Sequence, residues 1–446
     1  MRPHSQTPSF PSPPPRGFLA AWARLLGPAA VPTLPRRRGR RPRIPLTAVL
    51  AALIFHVMQD VGTLREHFTE LFGQPWADSS WSDRRTRLPW AVFTELLRRV
   101  LRPRATPRRH PDAFWRGWRL LALDGTDFNL INSRQMQAPR PKARTRRGPA
   151  AFAKLAVAVL LEVGLHNPVA AAIGRAGESE WALALTLLPA LPARALLLAD
   201  RLYGCAAFLA PAVAACHARG SHLLVRARGN VRSVERARLA DGSRRVALAV
   251  RAPADWRRLT AHLELREIRV QVARPGHRAH TLRLWTTLLD PATAPALDLA
   301  ALYARRWEQE LYFRAVKRTL RKTDLLQSHT LETAAQEVAA IVIASAILAQ
   351  TRAAATTGQL PVGRLSFPKV LRIVHALWLT VDLGPGILTD AQIQQLLRRG
   401  QARIRAQLTA PRRARSCPRQ VRQPMTAWPR TMQPRSVEGP VHFTVV

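Results

Sequence analysis

The hydrophobic pattern of the chain changes its period near residue 113, and this change limits the folds that are open to it. Between residues 44 and 101 the apolar residues recur at helical spacing, whereas WRLLAL at 118–123 and ALLLA at 195–199 are short apolar runs. Such runs, bounded by turn-forming residues, predict buried strands. They end at Asp124 and Asp200. We therefore expect an all-α N-terminal domain, then an α/β core in which two buried strands each end in an acid.

Further segments add strands and helices to this core. Residues 154–163 and 169–173 are apolar and flank turn-forming residues, which predicts a hairpin. From about residue 220 to 283, polar and apolar residues alternate between turn-forming pairs, which predicts a β-rich insertion. The chain becomes helical again from Asp298, a good N-cap residue. The predicted fold class is therefore α/β, a mixed sheet flanked by helices and interrupted by a β-rich insertion.

The charge of the chain indicates a polyanionic partner. Its 446 residues include 69 Lys and Arg against 28 Asp and Glu, a formal net charge of +41, while 47% of the residues are hydrophobic. The apolar residues are enough for a buried core and exclude a disordered basic protein. A folded chain of this charge is typical of nucleic-acid binding, because Lys and Arg neutralise phosphates.

Other classes of protein are disfavoured by the cysteines and the apolar runs. Cys205, Cys216 and Cys417 form no CxxC pair, so neither a disulfide framework nor a zinc site is predicted. The longest apolar runs, at 46–57 and 339–349, are shorter than the ~20 residues that span a membrane. The N-terminus shows no apolar signal-peptide region. We expect a cytoplasmic protein, associated with the nucleoid when it binds DNA, with no membrane partner.

Three basic clusters are candidates for phosphate contacts. The first, broken by Gly39 and Pro42, cannot form a regular helix but can follow a phosphate backbone, although a solvated linker also explains it. The second follows SSWS near residue 80 and fits a helix-turn-helix-like DNA reader, with a packing bundle as the alternative. The third is a loop at 140–147. The predicted DNA contacts in the clusters are Arg36, Arg37, Arg38, Arg40, Arg41, Arg84, Arg85, Arg144, Arg146 and Arg147.

The segment at 302–322, LYARRWEQELYFRAVKRTLRK, contains neither Gly nor Pro and predicts one continuous helix. At ~100° per residue, Tyr303, Arg306, Glu310 and Lys317 lie within a stripe about 60° wide, and Arg314 lies at its edge. Glu308 is ~140° away and faces elsewhere. Pairs at i, i+4 such as Glu310 and Arg314 also stabilise ordinary solvated helices, so the stripe by itself does not define a site.

Asp124, Asp200 and Glu310 together suggest a metal site. Carboxylate oxygens are hard ligands that suit Mg²⁺, and two such ions ~3.5 to 4 Å apart activate the attacking oxygen and stabilise the leaving oxygen of a phosphodiester. Arg306 and Lys317 would then contact phosphates beside the metal ions, and Arg314 on the same stripe is a further predicted DNA contact. Each aspartate alone is also explained as a turn or cap residue.

The same residues resemble a known family, the DDE transposases of the bacterial insertion sequence 4 family. Its signature, Y-(2)-R-(3)-E-(6)-K, is matched by Tyr303, Arg306, Glu310 and Lys317 without a spacing error. LDGTDF around Asp124 and ADRLYG around Asp200 resemble the first two blocks of the family. The segment after Phe128 lacks a Pro-Asp-Thr run found in some subgroups, which leaves the subgroup open.

The resemblance implies an RNase H-like catalytic core that cleaves transposon ends and then joins the freed 3′-OH to target DNA. It implies Asp124, Asp200 and Glu310 as catalytic and metal-binding residues, two Mg²⁺ ions with Mn²⁺ able to substitute, and Tyr303, Arg306 and Lys317 as DNA contacts. The expected partners are double-stranded DNA, namely terminal inverted repeats and target DNA, and a second copy of the chain in a homodimeric synaptic complex.

With this resemblance the chain divides into six predicted segments. They are a disordered Pro-rich and basic arm at 1–43, a helical DNA-binding domain at 44–112, the first part of the catalytic core at 113–219, the β-rich insertion at 220–282, the second part of the core at 283–405, and a basic tail at 406–446. Two alternatives remain open: a catalytically inactive DNA-binding protein derived from a transposase, and a metal-dependent nuclease of the same fold that joins no ends.

Overall fold

The computed structural model describes residues 16–27, 31–32, 44–73, 77–137, 142, 144–145, 148–175, 177–252, 255, 257–274, 277–321, 323–356, 360–409 and 442–445. The helices are α1 (Gly17–Leu26), α2 (Leu46–Met58), α3 (Leu64–Phe72), α4 (Asp78–Thr86), α5 (Trp90–Val100), α6 (Arg134–Gln137), α7 (Glu180–Leu187), α8 (Ala206–His217), α9 (Ala296–Tyr303), α10 (Trp307–Thr319), α11 (Leu331–Ala355), α12 (Phe367–Leu383) and α13 (Asp390–Arg405). The strands are β1 (Phe114–Trp115), β2 (Trp118–Asn129), β3 (Arg144–Thr145), β4 (Gly148–Pro149), β5 (Lys154–Glu162), β6 (Asn167–Ile173), β7 (Ala195–Ala199), β8 (His222–Arg226), β9 (Val234–Arg238), β10 (Arg244–Arg251), β11 (Leu259–Arg274), β12 (His277–Thr286) and β13 (His442–Val445).

Helix α11 is the centre of the helical part of the protein. It begins at a capping box in which Thr330 and Thr333 satisfy each other's backbone amides, and it packs against α2, α5, α12 and β6. Among the described residues it is the one helix long and apolar enough, by length and composition, to cross a membrane. Because 83% of its most apolar window is buried inside the protein, its hydrophobicity is accounted for by the core.

Eleven of the thirteen described strands form one large sheet, while β3 and β4 pair only with each other. Its strand order is β6-β5-β2-β7-β8-β12-β11-β10-β9, with β1 paired to β2 and β13 paired to β11. Strand β2 is antiparallel to β5 and parallel to β7, and β7 is parallel to β8. The order and directions of β6, β5, β2, β7 and β8 are those of an RNase H-like sheet, which confirms the predicted α/β fold class. Helices α2 to α5 confirm the helical N-terminal region. The hairpin β5–β6 is also as predicted.

Helices cover both faces of this sheet. Alternate residues of β2 point to opposite layers, since side chains alternate along a strand. Leu121 and Leu123 pack in the cluster that includes α7 and α8. Leu120 and Ala122 pack in the cluster that includes α9. The segment predicted to be a β-rich insertion, 220–282, also contains β8, the fifth strand of the core order. Its other strands, β9 to β12, continue the same sheet through the pairing of β12 with β8, and β12 extends to Thr286.

Two predictions about local structure are wrong. Strand β2 does not end at Asp124 but continues to Asn129, because β5 remains paired with it as far as Lys154. The acid therefore lies inside a strand, at the point where the neighbouring β7 ends. The segment at 302–322 is not one regular helix either: α9 ends at Tyr303, a 3₁₀ turn spans Ala304–Arg306, and α10 follows.

A buried carboxylate attaches the helical part to the sheet. Glu162, at the end of β5, is fully buried. It accepts hydrogen bonds from the backbone amides of Arg104 and Ala105 at 2.9 and 3.0 Å and from Asn167 at 3.1 Å, and it pairs with the guanidinium of Arg119. A buried charge is tolerated only when it is paired and hydrogen-bonded in this way, so Glu162 fixes the segment that leads from α5 into the sheet.

Candidate active site

The two predicted aspartates lie side by side in the sheet. Strands β2 and β7 are parallel, and Leu123 is the partner of Ala199 in their register. The next residue on β2 is Asp124, and the first residue past the end of β7 is Asp200; neighbouring strands are about 4.8 Å apart. Strand β7 ends at Ala199, and Asp200 then caps a short 3₁₀ turn by accepting a hydrogen bond from the backbone amide of Arg201. The pairing register thus brings together two acids 76 positions apart in the sequence.

The third predicted acid joins them through an arginine. Arg306 donates to Glu310 at 2.8 Å, one helical turn away, and to Asp124 at 3.3 Å. All three side chains are largely shielded, with exposed fractions of 13% for Arg306, 16% for Asp124 and 25% for Glu310. The guanidinium therefore lies between two of the three acids and neutralises part of their charge. Glu308 faces elsewhere, as predicted, and accepts a hydrogen bond from the Gly164 amide at 2.8 Å.

Tyr303 and Lys317, the other two residues of the signature, contact the strands that carry the acids. The buried Tyr303 hydroxyl donates to the carbonyl of Ala199 at 3.2 Å and so supports the end of β7. The Lys317 ammonium donates to the carbonyl of Asp127 at 2.6 Å and lies 5.3 Å from the centre of the Phe128 ring. Both residues thus attach the helices that precede and contain Glu310 to the sheet.

Burial and neighbouring charges disfavour the ionised form of Asp124. Burial, and after it the charge of Glu180, raise the pKa of this carboxyl to about 7 against the opposing effects of Arg306 and the Gly125 amide, which lower it. The charge of Asp200 also raises it. An acid held in this way is typical of a functional site, because the protein keeps like charges together at a cost in stability.

Glu180 lies beside these acids, although the sequence did not single it out. It is in the first turn of α7, whose N-cap is Ser179. Acids are common in the first turn of a helix, because they interact favourably with the helix dipole, so the sequence alone gives no reason to single out Glu180. The signal that could have pointed to it is Gly125, which follows Asp124 and leaves space above β2: a Cβ there would lie 2.1 Å from Cγ of Glu180.

The donor chemistry of the site fits a divalent cation such as Mg²⁺. Asp124, Asp200 and Glu310 offer carboxylate oxygens. Burial and like charges raise the pKa of Asp124, and a bound cation would stabilise its ionised form. Within the described ranges, no group of three or more His, Cys, Asp or Glu side chains is already gathered around a metal-sized position. Arg306 supplies the positive charge between Asp124 and Glu310 instead.

The basic residues predicted to contact DNA lie in different environments. Arg85 is engaged inside the protein, where it donates to Ser328 at 2.8 Å and to Gln336 at 3.2 Å. The bond to Gln336 holds α4 against α11, so a phosphate contact by Arg85 stays a prediction that requires these internal bonds to break. Arg84 is partly buried, and Arg314 is partly buried on α10. Arg144 lies in β3, and the other predicted contacts lie outside the described residues, namely Arg36, Arg37, Arg38, Arg40, Arg41, Arg146 and Arg147.

The strand order and the acids define the class: an RNase H-like sheet with an Asp, Asp, Glu site between β2, β7 and α10. The family model described as "Transposase DDE domain" matches residues 115–347, which contain all three acids. The chain therefore belongs to the DDE transposase family.

A curated relative agrees with this assignment. The chain is 29% identical over 237 residues to "Transposase InsG for insertion sequence element IS4" of Escherichia coli (strain K12). The aligned region covers 52% of this chain and 50% of that protein. This confirms the resemblance to the insertion sequence 4 family. The match spans about half the length of the curated relative. A solved structure, the "piggyBac transposase synaptic complex with hairpin DNA", is 10% identical, with a TM-score of 0.41 over 87% of this chain and 81% of that one.

Proposed function

We propose that the protein is a DNA transposase that cleaves the ends of an insertion sequence in a Mg²⁺-dependent reaction and transfers the freed 3′-OH to target DNA. The observation that carries this proposal is that the register of β2 and β7 brings Asp124 next to Asp200, while Arg306 joins Asp124 to Glu310. The acids lie within the region that matches the family.

In this proposal Asp124, Asp200 and Glu310 hold two Mg²⁺ ions, for which Mn²⁺ can substitute. Bound ions of this kind activate the attacking oxygen and stabilise charge on the leaving oxygen of a phosphodiester. Arg306 exchanges its bonds to Asp124 and Glu310 for a phosphate of the DNA strand, which matches its planar group of donors. Tyr303 keeps the Asp200 end of β7 in place through Ala199.

The partners proposed are the terminal inverted repeats, the target DNA and a second copy of the chain in a synaptic homodimer. The helical segment at 44–112 and the basic arm before it would bind DNA, as would the stripe of Arg306, Arg314 and Lys317. The domain boundaries given above remain a proposal. A catalytically inactive DNA-binding protein stays the second candidate, favoured by Arg306, which ties two of the acids together.

Cleavage of DNA from both sides of the gene tests the proposal. Purified protein is incubated with a labelled fragment that spans each end of the element, with Mg²⁺, with Mn²⁺, or with EDTA. We expect strand cleavage at the boundary of the terminal repeat with either metal ion and none with EDTA. Binding of the fragment without cleavage under all three conditions would favour the inactive DNA-binding protein.

The lowered pKa of Lys317 predicts that DNA binding depends on pH. Burial, together with the charges of Arg321 and Lys154, lowers the pKa of its ammonium group to about 8, although Asp127 raises it. A phosphate contact requires the charged form, so binding must take up a proton once the pH exceeds about 8, and affinity falls as the pH rises from 7 to 9. We expect Lys317→Arg to remove this loss, because arginine stays charged.

The measurement is the dissociation constant for an end fragment between pH 7 and 9 at fixed salt. Wild type and Lys317→Arg are compared, with Lys154→Arg as the control for an exposed lysine on the neighbouring strand. Equal pH profiles for wild type and Lys317→Arg would contradict a phosphate contact by Lys317. Salt slopes for Lys317→Ala should be smaller than for wild type by about one phosphate contact.

A further inference from the structure

Glu180 reaches the acidic site from the other face of the sheet. Gly125 points toward the layer of α7, because it is the neighbour of Asp124 along β2. Its missing Cβ leaves the room that Glu180 occupies: a Cβ would lie 2.1 Å from Cγ and 2.8 Å from Oε2 of the glutamate. These distances are below any real contact of a Cβ, so the glycine and the glutamate fit each other.

The carboxylate of Glu180 is held in this position by a tyrosine in the turn that follows Asp200. The Tyr203 hydroxyl donates to Oε1 of Glu180 at 2.8 Å. Tyr203 is fully buried and closes the 3₁₀ turn that begins after Asp200, through a bond from its amide to the Asp200 carbonyl at 3.0 Å. Glu180 therefore lies over the residue after Asp124 and is bonded to the turn that carries Asp200.

The electrostatic interactions agree with this geometry. The charge of Glu180 is the largest charge effect on the pKa of Asp124, and the charges of Asp127 and Asp200 raise the pKa of Glu180, after the larger effect of burial. The Gly125 amide lowers the pKa of both Asp124 and Glu180, so both carboxylates lie near one amide group. Like charges brought together in a shielded position destabilise the metal-free protein, and a bound cation would offset that cost.

We propose that Glu180 is a fourth carboxylate of the site, a positioning residue that raises the affinity of Asp124 and Asp200 for a divalent cation. The inference rests on the proposed function, because it assumes that these aspartates hold Mg²⁺. It predicts two effects of opposite sign: the charge of Glu180 favours the cation and disfavours the folded protein without it. A residue that only supported the fold would stabilise the protein with or without a cation.

The decisive variant is Glu180→Gln, which keeps the length of the side chain and an oxygen to accept the Tyr203 bond but removes the charge. Binding of MnCl₂ to the full chain is measured by titration calorimetry, and the melting temperature is measured in EDTA. We expect Mn²⁺ affinity to fall about 10-fold or more, the range for residues that support metal ligands. The melting temperature in EDTA should be equal to or higher than that of wild type.

The matched control is Glu332→Gln, since Glu332 is also a first-turn glutamate but lies at an exposed pair with Arg175. It should bind Mn²⁺ as wild type does. Wild-type affinity in Glu180→Gln, with weakened binding in Asp124→Asn, would overturn the role of Glu180 and leave the proposed function intact. A lower melting temperature in EDTA would assign Glu180 a structural role instead. Equal Mn²⁺ binding by wild type, Asp124→Asn and Glu180→Gln would contradict the proposed function itself.

A second variant displaces the carboxylate of Glu180 without changing the charge of any residue. Gly125→Ala places a methyl group where the Glu180 side chain lies, so that the glutamate must move away. We expect its Mn²⁺ affinity to fall in the same direction as that of Glu180→Gln. The double variant Gly125→Ala with Glu180→Gln should lose little more than either single variant, because both act on one interaction. Fully additive losses would overturn the proposal.

Discussion

Asp124→Asn is expected to lower the rate of DNA cleavage by about 10³-fold or more, while end binding stays within a few-fold of wild type. The substitution keeps the size of the side chain but removes a charged oxygen ligand next to Asp200. Metal ions contribute several kcal/mol to stabilising the transition state of phosphodiester cleavage, and each 1.4 kcal/mol is about tenfold in rate. Arg306 would retain its bond to Glu310, so the local fold should persist.

The assay is single-turnover cleavage of a labelled end fragment, with fragment binding measured in parallel in the absence of metal ions. Asp298→Asn is the matched control, because its carboxylate forms a half-exposed pair with Arg116 outside the site. Pairs of this kind contribute little to stability. Cleavage by Asp124→Asn at the wild-type rate would remove Asp124 from the site.

Among the substitutions proposed here, Glu162→Gln is expected to lower the free energy of unfolding the most. The fully buried carboxylate accepts from two backbone amides, from Asn167 and from Arg119. The amide nitrogen of glutamine would face donors instead of accepting from them, and Arg119 would lose its counter-charge. Breaking a buried pair from one side costs about 3–5 kcal/mol, so the free energy of unfolding should fall by that amount.

Urea denaturation followed by circular dichroism measures this loss, with Glu332→Gln as the control for an exposed ion pair. The control should change the free energy of unfolding by less than about 0.5 kcal/mol. If Glu162→Gln unfolds at the same urea concentration as wild type, Glu162 does not hold the α5 segment to the sheet. Its cleavage activity at low temperature should remain, because Glu162 contacts none of the three acids.

The sequence predicted the three acids because each lies in a local pattern. Asp124 and Asp200 follow apolar runs that must be strands, and Glu310 lies in a spaced signature. Their closeness follows from the parallel pairing of β2 with β7, which short buried strands make probable in an α/β fold. The RNase H-like order of the core strands was implied by the same motifs.

The remaining features depend on contacts between distant segments. The apolar run of β2 stops at Asp124, but the strand continues because β5 supplies hydrogen bonds that the sequence of β2 does not reveal. Arg85 looks like a surface cation, yet its partner Gln336 is on α11, about 250 positions away. Glu180 has the sequence of an ordinary helix start and joins the site only because α7 crosses over Gly125.

Sequencing of joined products is the most direct test of whether these acids cleave and join DNA. Purified protein is incubated with Mg²⁺, an end fragment with a marked 3′ strand and a supercoiled target plasmid, and the junctions are amplified and sequenced. We predict covalent junctions between the 3′ end of the element and target DNA, absent with Asp200→Ala. Fragments that are bound but not cleaved would indicate an inactive DNA-binding protein. Cleaved fragments without junctions would indicate a nuclease that joins no ends. Either result would contradict the proposed transposase function.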